Sequence, residues 1–492
     1  MPAPHSRAGA RECDSRRVWL VALLWTVAIA ARVVVGPHVV DDAYITMRYS
    51  RNLVATGALS YNPPDAVLGT STPLWTAMLA ATAAGGATPE QAAVVLSAAA
   101  DLASIAVIVA TAGPSFAAAA AALTIAARPA YVAYGLSGME TSLYVLLLVT
   151  FAATLSRGSV VGGGMAAALG ALCRPDGALL GILGCGWFAA TRGWRTALRF
   201  AAVVSLMCVP WALYAFVTFG SILPASVEAK AAAGDVWSLS LQNLVAYFLR
   251  GADAPVTALA AVGAAMILMT GTAFWKVWTL WMLAYLTVMT AANAFTHFPW
   301  YFVPVLPVAA ASAACAAERG WCALARLRRR PIQPPLEHTP MPSAPGHPAA
   351  TVLVVAVLGA VLLARMPVLR ADLDAQSAGR EALYASIAAG LAAEDSGCTV
   401  AATEIGTLGY HYPGRILDLV GLVSPEAIGR PAEAILAERR PRWLVTYDTH
   451  FDSRLAASVA FTDVYATRAL LPVGAARQLA VFERRDRAGC AP

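Results

Sequence analysis

Apolar runs of about 20 residues, each long enough to cross a bilayer as a helix, recur through the first two-thirds of the chain. They predict an α-helical polytopic membrane protein with about 11 transmembrane helices. The predicted helices cover residues 18–36, 90–111, 115–134, 140–156, 159–173, 175–190, 196–218, 255–273, 275–293, 298–315 and 350–366.

Two segments depart from this pattern. The stretch Pro73–Gly86 is apolar but too short to span a bilayer, which favours an interfacial or re-entrant helix. Residues 367–492 change to the composition of a soluble domain. Within them, "CTVAATEIG" and "RWLVTYD" are typical of short buried strands, and "AGREALYASIAAGLAAE" of an amphipathic helix, so we predict a small C-terminal α/β domain.

Basic residues predict the orientation. Arginines cluster in residues 1–17, around Arg192–Arg199 and from Arg319 to Arg330, and the positive-inside rule places all three groups in the cytoplasm. A transmembrane domain then occupies residues 18–366, with an outer loop at 37–89 and a cytoplasmic Pro-rich linker at 330–349. The α/β domain is predicted to be extracytoplasmic. We therefore expect a multi-pass protein of the cell membrane.

Composition supports the membrane assignment. Of the 492 residues, 59% are hydrophobic and only 13% are charged, against about 25% charged residues in soluble domains. The net charge of +6 comes from the clustered loop arginines and therefore concerns orientation and membrane lipids, not nucleic acid. The sequence contains no P-loop, GxSxG, HExxH or GxGxxG motif, so nucleotide chemistry in the cytoplasm has no support.

Three acids are candidate catalytic residues. In a helix beginning at Asp41, Asp41 and Arg48 would share one face of the helix, while Asp42 and Tyr49 would share another. Glu140 begins another predicted helix at the same outer side. Each of the three acids could instead cap a helix or complement its dipole. Such a role accounts well for one of the adjacent pair Asp41 and Asp42, but less well for both. Acids at membrane boundaries tend to be functional.

Four basic residues could bind a buried anionic group such as a lipid phosphate. Arginines near the outer ends of apolar helices are unexpected under the positive-inside rule, which makes them candidates for phosphate binding. The alternative for each is that its side chain extends to the lipid headgroups. These residues are Arg32, Arg128, Arg174 and, in a loop, Lys230. Candidate substrate-binding residues are Tyr44, Arg48, His297, Trp300, Tyr301 and His411, and for the interfacial aromatic residues a role as membrane anchors is the alternative.

Several motifs together resemble those of GT-C class polytopic glycosyltransferases, most closely the branch of mycobacterial arabinofuranosyltransferases. They are "DDAYITMRYSRNLVATGALSYNPPDAVLGTSTPLW", "GLSGMETSLY", "CRPDGALL", "FPWYFVPVLP" and "EIGTLGYHYPGRILDLVGLVSPE". They follow the order of that family over most of the chain. The chain differs in being shorter and in having a small C-terminal domain.

The resemblance implies a GT-C fold and a polyprenyl-phosphate-linked sugar donor in the outer leaflet, with arabinofuranose as one possible sugar. The acceptor would be a cell-envelope glycan or glycolipid. In an inverting displacement, Asp41, or Asp42 if the loop is rotated, would deprotonate the acceptor hydroxyl, and the basic residues would stabilise the leaving phosphate. Glu140 would assist the base or, with Asp41, hold Mg²⁺ or Ca²⁺, although the sequence does not establish that a metal is needed.

Two other interpretations stay open at this stage. The first is a transporter or flippase of lipid-linked sugars, which requires a polar path through the membrane and often shows internal repeats. The second is a non-catalytic scaffold, which leaves the adjacent acids unexplained.

Two cysteines of the C-terminal domain are a candidate disulfide. Cys398 and Cys490 both lie in the part of the chain placed outside, where disulfides persist, and a bridge would fix the end of the chain. Two unrelated thiols are the alternative, since a sequence does not give the distance between sulfurs.

Overall fold

A computed structural model describes residues 4–232, 242–247, 254–292, 299–328, 348–447, 459–473, 477–487 and 490. The longer helices before the C-terminal domain are α1 (Pro4–Val35), α2 (Asp41–Thr56), α3 (Pro73–Ala84), α4 (Pro89–Ala112), α5 (Phe116–Ala127), α6 (Pro129–Gly135), α7 (Thr141–Ser156), α8 (Val160–Cys173), α9 (Ala178–Arg192), α10 (Trp194–Phe219), α11 (Ala225–Ala232), α12 (Ala254–Thr270), α13 (Ala273–Ala291), α14 (Leu306–Arg328) and α15 (Pro348–Leu363). Short 3-10 turns cover Pro175–Gly177 and Pro299–Val305, before α9 and α14.

The described residues contain five helical stretches that are long and apolar enough to cross a membrane. A sixth is added if α5 and α6, which meet at an angle of 55°, form one broken span. Several shorter apolar helices, α7, α8 and α12 among them, complete the bundle. The predicted helical membrane fold is therefore present, whereas the predicted number of about 11 spans is not confirmed.

Three boundaries differ from the sequence expectation. The helix predicted over 115–134 breaks at Arg128, because Pro129 lacks an N–H and forces the preceding residue into extended backbone. The helix predicted to end at 315 continues to Arg328, so part of the predicted arginine-rich loop is helical. Likewise, α1 begins at Pro4 within the predicted N-terminal segment. Arginine and alanine are good helix formers, which explains both extensions.

The short helix α3 does not cross the bundle. It has 12 residues and is thus about 18 Å long, against the roughly 30 Å of a bilayer core. The helices on both sides of it contact the same C-terminal domain: α2 through Asp41, and α4 through Glu90, which interacts with Tyr410. Both ends of α3 therefore lie at one end of the bundle, as expected for a re-entrant or interfacial helix.

The C-terminal domain begins with helices α16 (Met366–Gly379) and α17 (Glu381–Asp395). A five-stranded sheet of β1 (Val400–Ala402), β2 (Ile416–Asp418), β3 (Trp443–Tyr447), β4 (Tyr465–Val473) and β5 (Arg477–Arg484) follows in the order β2-β1-β3-β5-β4. The first three strands are parallel, and β4 and β5 add an antiparallel edge. Helices α18 (Gly406–His411), α19 (Ala432–Arg439) and α20 (Val459–Thr462) connect them. The predicted α/β domain and the Cys398–Cys490 disulfide are confirmed.

The outer loop and the C-terminal domain share one hydrophobic core. Tyr49 and Tyr61 from the loop pack with Tyr384 and Trp443 of the C-terminal domain, all buried. A second core covers the other face of the sheet, where α19 packs. Residues 37–89 are thus an integral part of the C-terminal domain's core, and α2 is the layer between that domain and the bundle.

Candidate functional site

The two adjacent acids at the start of α2 face different parts of the protein. Asp41 is buried, and its two carboxylate oxygens accept hydrogen bonds from the backbone N–H groups of Gly406 and Thr407, at 3.0 and 2.7 Å. Asp42 is partly exposed, and its charge acts on Glu140. The predicted divergence of the two carboxylates is therefore observed. Asp41 caps a helix of the C-terminal domain, not its own helix.

The approach of the C-terminal domain to Asp41 depends on a glycine. A β-carbon at Gly406 would lie 1.8 Å from the backbone oxygen of Asp41, so any side chain there would push the domain away. Gly406 opens α18 and places its first amides against the carboxylate. The interface between the C-terminal domain and α2 is therefore built around the Asp41 side chain.

Glu140 is brought beside α2 by two paired loops. The backbone amides of His38 and Val40 donate to the carbonyls of Leu136 and Ser137, at 3.2 and 3.0 Å, which fixes the chain just before Glu140. Burial raises the pKa of Glu140, while Arg174 lowers it and the negative charges of Asp176 and Asp42 raise it further. Glu140 can therefore hold a proton at a higher pH than an ordinary glutamate.

Arg174 is the cation of this site. Its Nε lies 2.9 Å from Asp176 Oδ1, and its Nη1 lies 3.3 Å from Glu140 Oε1. The "RPDG" turn that holds it closes tightly on α8, because a β-carbon at Gly177 would lie 2.0 Å from the carbonyl oxygen of Gly170. Arg174 and Glu140, both buried, and the half-buried Asp176 therefore form one charge cluster at the end of α8.

Aromatic rings enclose Arg174. Its guanidinium carbon lies 5.2 Å from the ring centroid of Tyr144 and 5.0 Å from that of Tyr301, both within cation–π range. The hydroxyl of Tyr285 donates to the Tyr301 carbonyl at 3.0 Å and holds that segment in place. Trp300 lies beside Tyr301 and contacts Tyr134. The predicted residues Glu140, Arg174, Trp300 and Tyr301 are thus gathered in one place, with Asp42 in electrostatic range.

Arg48 lies outside this cluster. Its five N–H groups donate to the carbonyls of Tyr61, Gly409, Tyr412 and Gly414 and to the amide oxygen of Asn62. An arginine has five N–H donors, so these bonds leave none for a substrate. The expected substrate ligand is instead a connector between the outer loop and the C-terminal domain.

Arg32 also lies apart from Arg174. Its guanidinium is buried in the bundle, pairs with Asp101 and donates to the carbonyls of Ile125 and Ala126. Arg128 lies at the break between α5 and α6. Of the residues expected to bind a phosphate, Arg174 lies with the acids Glu140 and Asp176, whereas Arg32 pairs with Asp101.

Tyr44 and His411 form a second aromatic group at the domain interface. The ring of Tyr44 lies 5.1 Å from Tyr410 and 5.7 Å from His411, and Arg51 stacks over Tyr410 at 4.7 Å. Burial lowers the pKa of His411, with Glu90 opposing this effect. His297 and the side chain of Lys230 lie outside the described residues.

The oxygens of the expected metal pair, Asp41 and Glu140, have other partners in the described part of the chain. Both oxygens of Asp41 bind backbone amides, and Glu140 pairs with Arg174. Among the described residues, the one group of three or more potential ligands is Asp395 with Cys398 and Cys490, and those two cysteines are joined as a disulfide.

Sequence reasoning overlooked Glu404. It lies two residues after β1 and 3.7 Å from Arg380, and burial raises its pKa to about 7, an effect that the charge of Asp41 reinforces. The signal in the sequence was an acid just after a buried strand, since ligand sites in α/β sheets lie outside the carboxyl ends of parallel strands.

The family model that matches is described as a domain of unknown function, DUF8728, and covers residues 373–485. No curated protein sequence matches the chain.

Among solved structures, ArnT from Cupriavidus metallidurans bound to undecaprenyl phosphate matches with a TM-score of 0.58 and 16% identity, over 96% of this chain and 99% of that one. Its apo form gives a TM-score of 0.56 with 17% identity, again over 96% and 99% of the two chains. The arabinofuranosyltransferase AftD from Mycobacteria gives a TM-score of 0.46 with 17% identity, over 95% of this chain and 40% of that one. The chain therefore has the fold of the ArnT structures, which confirms the GT-C fold expected from the sequence.

Proposed function

We propose that the protein is a glycosyltransferase that takes its sugar from a polyprenyl-phosphate donor. The observation that carries this proposal is the cluster of Asp42, Glu140 and Arg174 at one end of the helix bundle, beneath the C-terminal domain. It combines a candidate base with a cation suited to a phosphate. The fold is shared with an ArnT structure that binds undecaprenyl phosphate, which supports the same class of lipid here.

Arg174 would hold the donor phosphate. The planar guanidinium fork suits phosphate oxygens, and its aromatic neighbours fix its position. Two carboxylates already face this cation, so a phosphate would bring a third negative group into the cluster. The contact of Arg174 with Glu140, at 3.3 Å, is longer than its contact with Asp176, at 2.9 Å, so the phosphate would replace Glu140 as the partner of Arg174.

Asp42 would act as the base. Both oxygens of Asp41 are engaged by backbone amides, whereas Asp42 is partly exposed at the site. Asp42 takes the proton of the acceptor hydroxyl, and the hydroxyl oxygen forms a bond to the anomeric carbon. The bond between that carbon and the phosphate oxygen breaks, polyprenyl phosphate leaves, and the configuration of the sugar inverts.

The site would lie on the outer face of the cell membrane. Arg192 and Arg319 lie toward the opposite end of the bundle from Arg174, since α9 and α14 run from the site toward those residues. The positive-inside rule then assigns the end with the C-terminal domain to the outside. Arabinofuranose is our proposed sugar, and a cell-envelope glycan or glycolipid is the proposed acceptor. The one-sided position of the cluster favours an enzyme over a transporter.

The test is the variant Asp42→Asn, which removes the base at nearly constant shape. Membranes from a strain that lacks the gene supply the acceptor, and polyprenyl-phosphate arabinofuranose labelled in the sugar supplies the donor. We expect the transfer rate to fall by about 10²–10⁴-fold, while binding of undecaprenyl phosphate, measured by native mass spectrometry, is retained. Asp65→Asn is the matched control, because Asp65 is in the same loop but pairs with Arg415 at the surface. Full transfer activity in Asp42→Asn would refute the assigned base.

A further inference from the structure

We propose that Glu404 of the C-terminal domain is a positioning residue that accepts a hydrogen bond from a hydroxyl of the acceptor. The acceptor site would then be formed jointly by the C-terminal domain and α2, and the domain would be part of the active site. This inference rests on the glycosyltransferase function proposed above.

The position of Glu404 in the sheet is the first reason. It lies two residues after β1, which is the middle strand of the three parallel strands. The carboxyl ends of parallel strands are where α/β domains place their ligands. The same turn provides the amides of Gly406 and Thr407 that hold Asp41. Glu404 is therefore fixed close to the start of α2 by the backbone around it.

One oxygen of Glu404 is buried without a partner. Oε1 lies 3.7 Å from Nη1 of Arg380, and the hydroxyl of Tyr384 also interacts with the carboxyl group. Oε2 is buried and has no hydrogen-bond partner among the described residues. A buried acceptor that lacks a donor is costly and uncommon, and a ligand hydroxyl would satisfy it.

A purely structural role explains this arrangement less well. Arg380 already has a closer partner, since its Nη2 lies 2.6 Å from Glu381 Oε1. The contact with Glu404 is longer, by more than 1 Å, and leaves Oε2 unpaired. A residue that served only to join the domains would use both oxygens, as Asp41 does.

The donor and the acceptor would bind on different sides of Asp42. The charge of Asp42 acts on Glu404 of the C-terminal domain and on Glu140, which is paired with Arg174. The donor phosphate requires the cation, which places the donor toward Arg174. The acceptor hydroxyl would reach Asp42 from another direction, and Glu404 is a side chain of the C-terminal domain whose carboxylate lies within electrostatic range of Asp42.

The test compares Glu404→Gln with the wild-type protein in the transfer assay described above. We vary the amount of acceptor membranes at fixed polyprenyl-phosphate arabinofuranose, and then vary the donor at fixed acceptor. We expect the acceptor amount at half-maximal rate to rise about tenfold, because an anionic oxygen is replaced by a neutral acceptor. The donor concentration at half-maximal rate should not change. Glu438→Gln is the matched control, since Glu438 is an exposed glutamate of α19 paired with Arg430.

The pH profile gives a second readout. The groups that act on Glu404 are Asp41 and Asp42 from α2, Arg380 before α17 and Tyr384 within it. Burial and the aspartates raise the pKa of Glu404 to about 7, so it becomes anionic as the pH rises through that value. The acceptor amount at half-maximal rate should therefore fall between pH 6 and 8 in the wild type, and stay constant in Glu404→Gln.

Each outcome decides between the proposals. An unchanged acceptor dependence in Glu404→Gln, or an equal change for donor and acceptor, overturns the role of Glu404. If the variant fails to form the Cys398–Cys490 disulfide, as counted by mass spectrometry of unreduced protein, Glu404→Asp replaces it. That variant keeps the charge but shortens the side chain, and an acceptor dependence equal to the wild type would again refute the proposal. Absence of transfer by the wild type itself refutes the glycosyltransferase function, not the role of Glu404 alone.

Discussion

Two arginines that look alike in the sequence have different surroundings in the fold. Arg32 and Arg174 both lie near the ends of apolar helices, and both were expected to bind a phosphate. Arg32 pairs with the buried Asp101, which also accepts a hydrogen bond from Tyr131 at 2.9 Å. Arg174 lies at the end of α8, where it meets two acids and two aromatic rings.

The difference lies in how each charge is balanced. Arg32 pairs with one acid, Asp101, so the two charges cancel. Its other hydrogen bonds go to backbone carbonyls of its own helix and of a neighbouring helix. Arg174 faces two acids, Glu140 and Asp176, so its cluster carries more negative than positive charge. A cluster of that kind can exchange a partner for a ligand, whereas the buried pair cannot do so without losing stability.

The largest expected effect concerns the buried pair. Asp101→Ala leaves the charge of Arg32 without its partner inside the bundle, which should lower the free energy of unfolding by about 3–5 kcal/mol. The loss is measured as a lower apparent unfolding temperature in detergent. The double variant Arg32→Met with Asp101→Leu should recover most of the loss, because it removes both charges together. If the double variant kept its stability but lost undecaprenyl phosphate binding, Arg32 would be a ligand after all.

Arg174→Lys should affect activity more than stability, the reverse of Asp101→Ala. Lysine keeps the charge but cannot reproduce the planar fork that meets Asp176 and Glu140. We expect the transfer rate to fall about 10²-fold, with a smaller change in unfolding temperature than in Asp101→Ala. A variant as unstable as Asp101→Ala, yet with a normal rate per folded molecule, would show that the two arginines do not differ in the way described.

Local signals in the sequence predicted much of the outer region. The helix beginning at Asp41 and the strands around Ala401 and Leu444 follow from apolar periodicity and turn residues, which act over a few neighbours. The cysteine pair required a distance that only the fold supplies, and the structure confirms it. Pro129 was visible in the sequence, and the break that it causes should have been predicted.

The partners of the charged residues could not be predicted in the same way. Arg48 bonds to Gly409 and Gly414, more than 360 positions away, and Arg32 bonds to Asp101 on another helix. Periodicity gives the face on which a residue lies but not what that face meets. Glu404 was overlooked for the same reason, since its significance depends on the approach of α2.

The smallest expected effect concerns the aromatic rings that contact Arg174 and have no counterpart among the contacts described for Arg32. Tyr301→Leu removes one of the two aromatic rings that contact Arg174 but keeps an apolar side chain at that position. The Tyr285 hydroxyl can still donate to the backbone carbonyl of residue 301. A cation–π contact contributes about 1 kcal/mol, so we expect the affinity for undecaprenyl phosphate to fall roughly fivefold, as measured by native mass spectrometry. Tyr214→Leu is the control, because Tyr214 is exposed on α10. An unchanged affinity would mean that the ring does not help to position Arg174. A loss above 100-fold would mean that Tyr301 itself contacts the lipid phosphate.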